Sequence, residues 1–152
     1  GFLEAAPAWL DKVAASIRAD CWMVAPLMPE IATRWIESGE AERLIELQRQ
    51  RIGERLLLAH QCLAGLDYKW SPHHPHLWLP LPEPWHASQF AAALRQAGVL
   101  VRTAEQFAAG RTRAPHAVRV SLNTASSVEQ LRAGLQTIVR VLDSPPLADI
   151  DP

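Results

Sequence analysis

Arginine is the side chain best shaped to grip a carboxylate, because its planar fork supplies two parallel N–H···O bonds. Arg119 occupies the position most suited to that use. It interrupts the alternating run Val118, Val120, Leu122 and therefore falls on the opposite face of the same strand. A charge in that position either faces water or points into a site, and the pattern alone leaves both readings open. His73, His74 and His76 stand close enough to hold a transition metal. No Cys, Asp or Glu in that cluster completes a ligand set, and Pro75 limits how the rings converge. A loop leading into a strand is the expectation there, with no functional metal.

Other candidates are weaker. The chain has only two lysines, Lys12 and Lys69. A Schiff-base lysine needs a desolvated site that lowers its pKa. Lys12 lies on an amphipathic stretch and Lys69 beside turn residues, so both are expected in solvent. Trp78 and Trp85 flank the turn Pro80–Pro84, where aromatic rings usually pack on the prolines. Arg49, Arg51 and Arg55 could meet phosphates, but Glu46 and Glu54 interleave with them, which reads as a solvated helix face. No GxGxxG, GxxxxGK[ST], HExxH or GxSxG motif occurs. No catalytic residue is assigned.

The elements that position Arg119 follow from periodicity. Residues 8–22 predict a helix with Leu10, Val13, Ala14, Ile17 and Cys21 on one face. A short helix starts at Pro29 and stops at Gly39, a C-terminal cap. A long third helix spans about Glu40 to Ala64, with Ile45, Ile52, Leu56, Ala59 and Leu63 as its buried stripe. Leu77, Leu79 and Leu81 then alternate in a strand over 76–81. A helix over 87–97 turns Phe90, Ala91 and Leu94 inward and stops at Gly98. Val99-Leu100-Val101 predicts a short strand, 103–116 irregular chain, and Val118 to Leu122 a third strand. Ser126 with Glu129 predicts a capping box for a last helix that buries Val128, Leu131, Leu135, Ile138 and Leu142. Helices followed by a β-α-β-β-α unit predict an α+β fold, with a small, mainly antiparallel sheet covered by helices on one face.

Composition bounds the function classes. The 152 residues are 49% apolar and 20% charged, with a net charge of −1. That size supports one domain with a real core, and that charge gives no global attraction to nucleic acid or anionic lipid. No apolar run approaches the roughly 20 residues of a membrane helix, so no membrane partner is expected. Cys21 and Cys62 are far apart and form no CxxC, which suits free thiols and a cytoplasmic location. The chain opens at Gly1 without Met, and Gly1-Phe2-Leu3 reads like the middle of a strand, so a longer parent protein is expected.

The order of segments in the second half resembles one family. His76-Leu77-Trp78-Leu79-Pro80-Leu81-Pro82 is followed by Trp85 and Phe90, then Gly98-Val99-Leu100-Val101, Phe107 and Ala117-Val118-Arg119-Val120-Ser121-Leu122. This is similar to the C-terminal part of fold-type I aminotransferases. Within them it most resembles the MocR-type regulators, which join a winged-helix DNA-binding domain of the GntR kind to an aminotransferase-like domain. Many members carry Gly-Gly where this chain has His73-His74, which removes φ-permissive backbone there.

The resemblance implies a division of the chain. Residues 1–38 would end the large pyridoxal-phosphate-binding domain, 39–66 would be the interdomain helix, 67–143 the small domain and 144–152 a tail. Arg119 matches the family arginine that binds the carboxylate of substrate or effector. The cofactor lysine, the phosphate ligands and the DNA-binding domain would precede Gly1. Pyridoxal phosphate is thus expected in the parent and not in this piece, which should catalyse nothing alone. Expected partners are an amino-acid-like small molecule, DNA through another domain and a second copy in a homodimer. A free-standing amino-acid aminotransferase would share this region, so whether the parent is a regulator or an enzyme stays open.

Overall fold

The computed structural model describes residues 3–72, 74–110 and 114–144. The expectations for Gly1-Phe2, His73, Pro145-Pro146 and the rest of the tail lie outside these residues. The chain forms two compact units, one up to Glu46 and one from Leu47 onward.

The first unit is helical. A 3-10 turn at Pro7–Trp9 leads into α1, Leu10–Cys21, and α2 covers Leu27–Glu37. α2 begins two residues before Pro29. Proline is tolerated in the first turn because N–H groups there have no partner within the helix. Gly39, at φ +76°, ends α2 as expected. Neither helix contains a buried residue. The apolar face predicted for α1 is therefore present but uncovered, and Leu10, Ile17, Trp22, Trp35 and Ile36 are all exposed.

α3, Glu40–Cys62, carries the chain into the second unit. β1 (His76–Pro80), α4 (Ala87–Gln96), β2 (Arg102–Thr103), β3 (Ala117–Ser121) and α5 (Val128–Leu142) follow. The sheet is antiparallel with order β1-β3-β2, so β3 is central. Leu77 and Leu79 of β1 and Val118 and Val120 of β3 point to one face. There they form a single core with Ile52, Leu56 and Leu63 near the end of α3, Phe90 and Leu94 of α4, and Leu131, Leu135 and Ile138 of α5. The α+β architecture with helices on one face is the one that the periodicity predicted.

Several expectations are corrected. Val99-Leu100-Val101 is not a strand: the pairing begins at Arg102, and Leu100 is exposed. Apolar side chains alone do not make a strand where no partner backbone is in register. The last helix is capped one residue later than predicted. Ser127 is the N-cap and accepts from the Gln130 N–H at 3.1 Å, while Gln130 Oε1 accepts from the Ser126 N–H at 2.6 Å. That shift places Val128 in the first turn, 44% exposed instead of buried. Ile45 is also exposed, so the buried stripe of α3 starts only at Ile52.

Arg55 does not belong to a solvated helix face. Its Nη1 donates to the carbonyls of Leu122 and Ala125, in the segment between β3 and α5. Those carbonyls are thereby satisfied where a turn cannot pair them. Hydrogen bonds to a charged group contribute about 1.5–3 kcal/mol. Arg55→Met keeps the apolar stem and is expected to destabilise the chain by about that amount in urea unfolding. Arg51→Met, on the exposed side of α3, is expected to change stability by less than about 0.5 kcal/mol.

Candidate functional site

The face of the sheet turned away from the helices carries the polar side chains. On β3, Arg119 stands in register with Trp78 of β1 on one side and Arg102 of β2 on the other. Directly opposed residues of antiparallel strands share a face, so Trp78, Arg119 and Arg102 form a row across all three strands. Phe107, in the 3-10 turn Ala104–Phe107 after β2, supports the row. The Arg119 guanidinium lies 4.5 Å from the Phe107 ring centroid, and Phe107 meets Trp78 edge to face at 5.4 Å. Stacking on an aromatic face fixes the plane of the guanidinium. Phe107 thus holds the Arg119 side chain on this face of the sheet.

Arg119 lines a cavity of about 450 Å³, together with His76, Arg95, Leu100, Val101, Arg102, Gln106, Ser121 and Thr124. This is the size range of pockets that hold small ligands. Three guanidinium-bearing residues line it, and no carboxylate does among the described residues. Arg119 Nε is buried and has no hydrogen-bond partner. Buried donors are nearly always paired, so this unpaired Nε marks Arg119 out among the residues of the cavity. Arg102 Nη1 donates to Gln106 Oε1 at 3.2 Å, which leaves its other N–H groups for the pocket. Burial, then the Arg119 guanidinium and His74, hold the His76 imidazole below its ordinary range. His76 is thereby biased toward its neutral form and adds no fixed positive charge to the cavity.

The other sequence candidates do not join this site. Lys12 is exposed, with its Nζ 4.9 Å from the Trp9 ring centroid, and Lys69 is exposed in an isolated bridge to Trp78. Neither amine is desolvated, so Lys12 and Lys69 do not fit covalent attachment of pyridoxal phosphate. Trp85 is buried against Phe90, at 5.2 Å edge to face, as part of the core. Among the described residues no group of three His, Cys, Asp or Glu side chains converges on a metal position. No helix among them is long and apolar enough to cross a membrane.

Sequence reading missed Arg95 and Arg102 entirely. Arg95 ends α4 and Arg102 opens β2. Nothing local distinguishes them from solvated arginines, because their neighbour in the pocket is Arg119, remote in sequence. His60 was also missed: its Nδ1 is hydrogen-bonded to Tyr68 Oη, and Trp70 meets the ring edge-on at 4.7 Å. That contact ties α3 to the segment before β1 and is closed on itself.

No family model matches the chain. Over 120 residues it is 33% identical to an uncharacterized HTH-type transcriptional regulator, YdeF, of Bacillus subtilis (strain 168). That match covers 79% of this chain and 26% of the regulator. The α-aminoadipate aminotransferase LysN of Thermus thermophilus, solved with N-(5′-phosphopyridoxyl)-L-leucine, superposes with a TM-score of 0.73 over 91% of this chain and 36% of that one, at 19% identity. An archaeal alanine:glyoxylate aminotransferase gives 0.69 over 91% and 35%, at 18% identity. The chain thus spans about a quarter of the curated relative and about a third of each enzyme. The chain therefore has the fold of part of these fold-type I aminotransferases, and by sequence it is similar to an HTH-type transcriptional regulator.

Proposed function

We propose that this chain is the carboxylate-binding end of an aminotransferase-like effector domain in a MocR-type regulator of the GntR family. Arg119 grips the carboxylate of an amino-acid-like ligand. The observation that carries this reading is the Arg119 guanidinium, lying over the Phe107 ring with a buried Nε left unpaired, in a pocket with no carboxylate among the described residues. Residues 1–38 would end the large domain, 39–66 would join the domains and 67–143 would form the small domain. Pyridoxal phosphate would be held by the longer protein, DNA by another of its domains, and two copies would pair in the cytoplasm. The similarity to an HTH-type regulator favours this reading over a free-standing aminotransferase.

The chemistry of the ligand supplies the test. Amino acids should bind the full-length protein in calorimetry, whereas the corresponding amines, which lack only the carboxylate, should bind at least tenfold more weakly. Equal affinity for an amino acid and its amine would overturn the proposal.

A further inference from the structure

Arg119 by itself accounts for one carboxylate, but the pocket holds more positive charge than one carboxylate uses. Arg102 stands directly across the ladder from Arg119. Like charges in that arrangement repel each other. Among the described residues no acidic neighbour in the cavity offsets the repulsion, and the polar groups besides the arginines are His76, Gln106, Ser121 and Thr124. His76 is held toward its neutral form, so it does not compete for an anion as a fixed charge. Arg95 reaches the same cavity from the last turn of α4. Its place there also suits the negative end of the helix dipole, which accounts for a basic residue at the end of α4. The dipole gives no account of Arg102, whose side chain donates to the neutral amide of Gln106.

We propose that Arg102, assisted by Arg95, forms a second anion subsite beside Arg119. The pocket then selects a ligand with two anionic groups. The α-carboxylate sits in the Arg119 fork. A side-chain carboxylate or phosphate ester meets Arg102 and Arg95. The proposal rests on the reading that Arg119 binds the α-carboxylate. Arg102 and Arg95 are specificity-determining residues in this scheme, and Gln106 positions the Arg102 guanidinium. A cavity of about 450 Å³ accommodates an amino acid of that kind.

The test compares isosteres on the full-length protein by calorimetry: L-glutamate against L-glutamine, and L-phosphoserine against L-serine. Arg102 and Arg95 are both exposed, so Arg102→Gln and Arg95→Gln should fold, and circular dichroism checks that they do. In the wild-type protein the charged member of at least one pair should bind tenfold or more tightly than its neutral isostere. The pair that shows the preference tells carboxylate from phosphate. Arg102→Gln should reduce the preference to within about threefold, and Arg95→Gln should reduce it partly. Binding of the neutral amino acids with no preference for the charged ones would overturn the second subsite and leave the Arg119 reading standing. A preference that survives both substitutions would overturn it as well. If no amino acid bound and Arg119→Ala changed nothing, both readings would fall together.

Discussion

Replacing Arg119 by alanine is expected to weaken binding of an amino-acid ligand to the full-length protein by one to two decades or more. A charge-assisted hydrogen bond contributes about 1.5–3 kcal/mol, and each 1.4 kcal/mol is a factor of about ten in affinity. The guanidinium lies over the Phe107 ring, at 4.5 Å from its centroid, and this contact lowers the ordering cost that offsets that gain. Arg119→Lys tests the shape of the group rather than its charge. The ammonium keeps the charge but cannot make two coplanar bonds or stack as a plane on Phe107. It is therefore expected to bind almost as poorly as alanine. Folding should suffer little in either variant, since Nε makes no hydrogen bond that would be lost. Calorimetry with wild type and both variants decides the matter, and equal affinities in all three would make Arg119 a plain strand residue.

The largest effect on stability is expected at Phe90. Its ring is fully buried, meets Trp85 edge to face and belongs to the core that joins α3, α4, α5 and the sheet. Phe→Ala in such a site removes both the transfer free energy of the ring and its packing, about 3–5 kcal/mol. Domains of this size are stable by only about 5–15 kcal/mol, so Phe90→Ala should lower the urea midpoint severely or leave the second unit unfolded. Phe90→Leu should lie between it and wild type. Leu57→Ala provides the contrast: Leu57 lies on α3 at 65% exposure and should cost less than about 0.5 kcal/mol. Similar losses at Phe90 and Leu57 would contradict the assignment of the core.

The helix and strand types, the buried stripe from Ile52 to Leu63 and the alternation of Leu77, Leu79, Val118 and Val120 were legible in the sequence. Burying one face imposes a period of 3.6 or 2 on apolar residues, and a local window is long enough to show it. The same argument made Arg119 legible, because a charge out of phase with that alternation marks the other face of its strand. Local windows failed where the deciding partner was remote in the chain. Arg55 reads as one more charge on a polar helix face, yet it holds carbonyls at Leu122 and Ala125. Val99-Leu100-Val101 has strand composition, but the ladder starts at Arg102 because that is where β3 is in register. Arg95 and Arg102 acquire meaning only through the order β1-β3-β2, which sets Arg102 across from Arg119 and brings the end of α4 to the same cavity. Hydrophobic periodicity is a local property of the chain, so the sequence by itself determined the helices, β1, β3 and the face on which Arg119 stands. Strand order and register depend on pairing between distant segments, so only the tertiary structure decided which charges share a pocket.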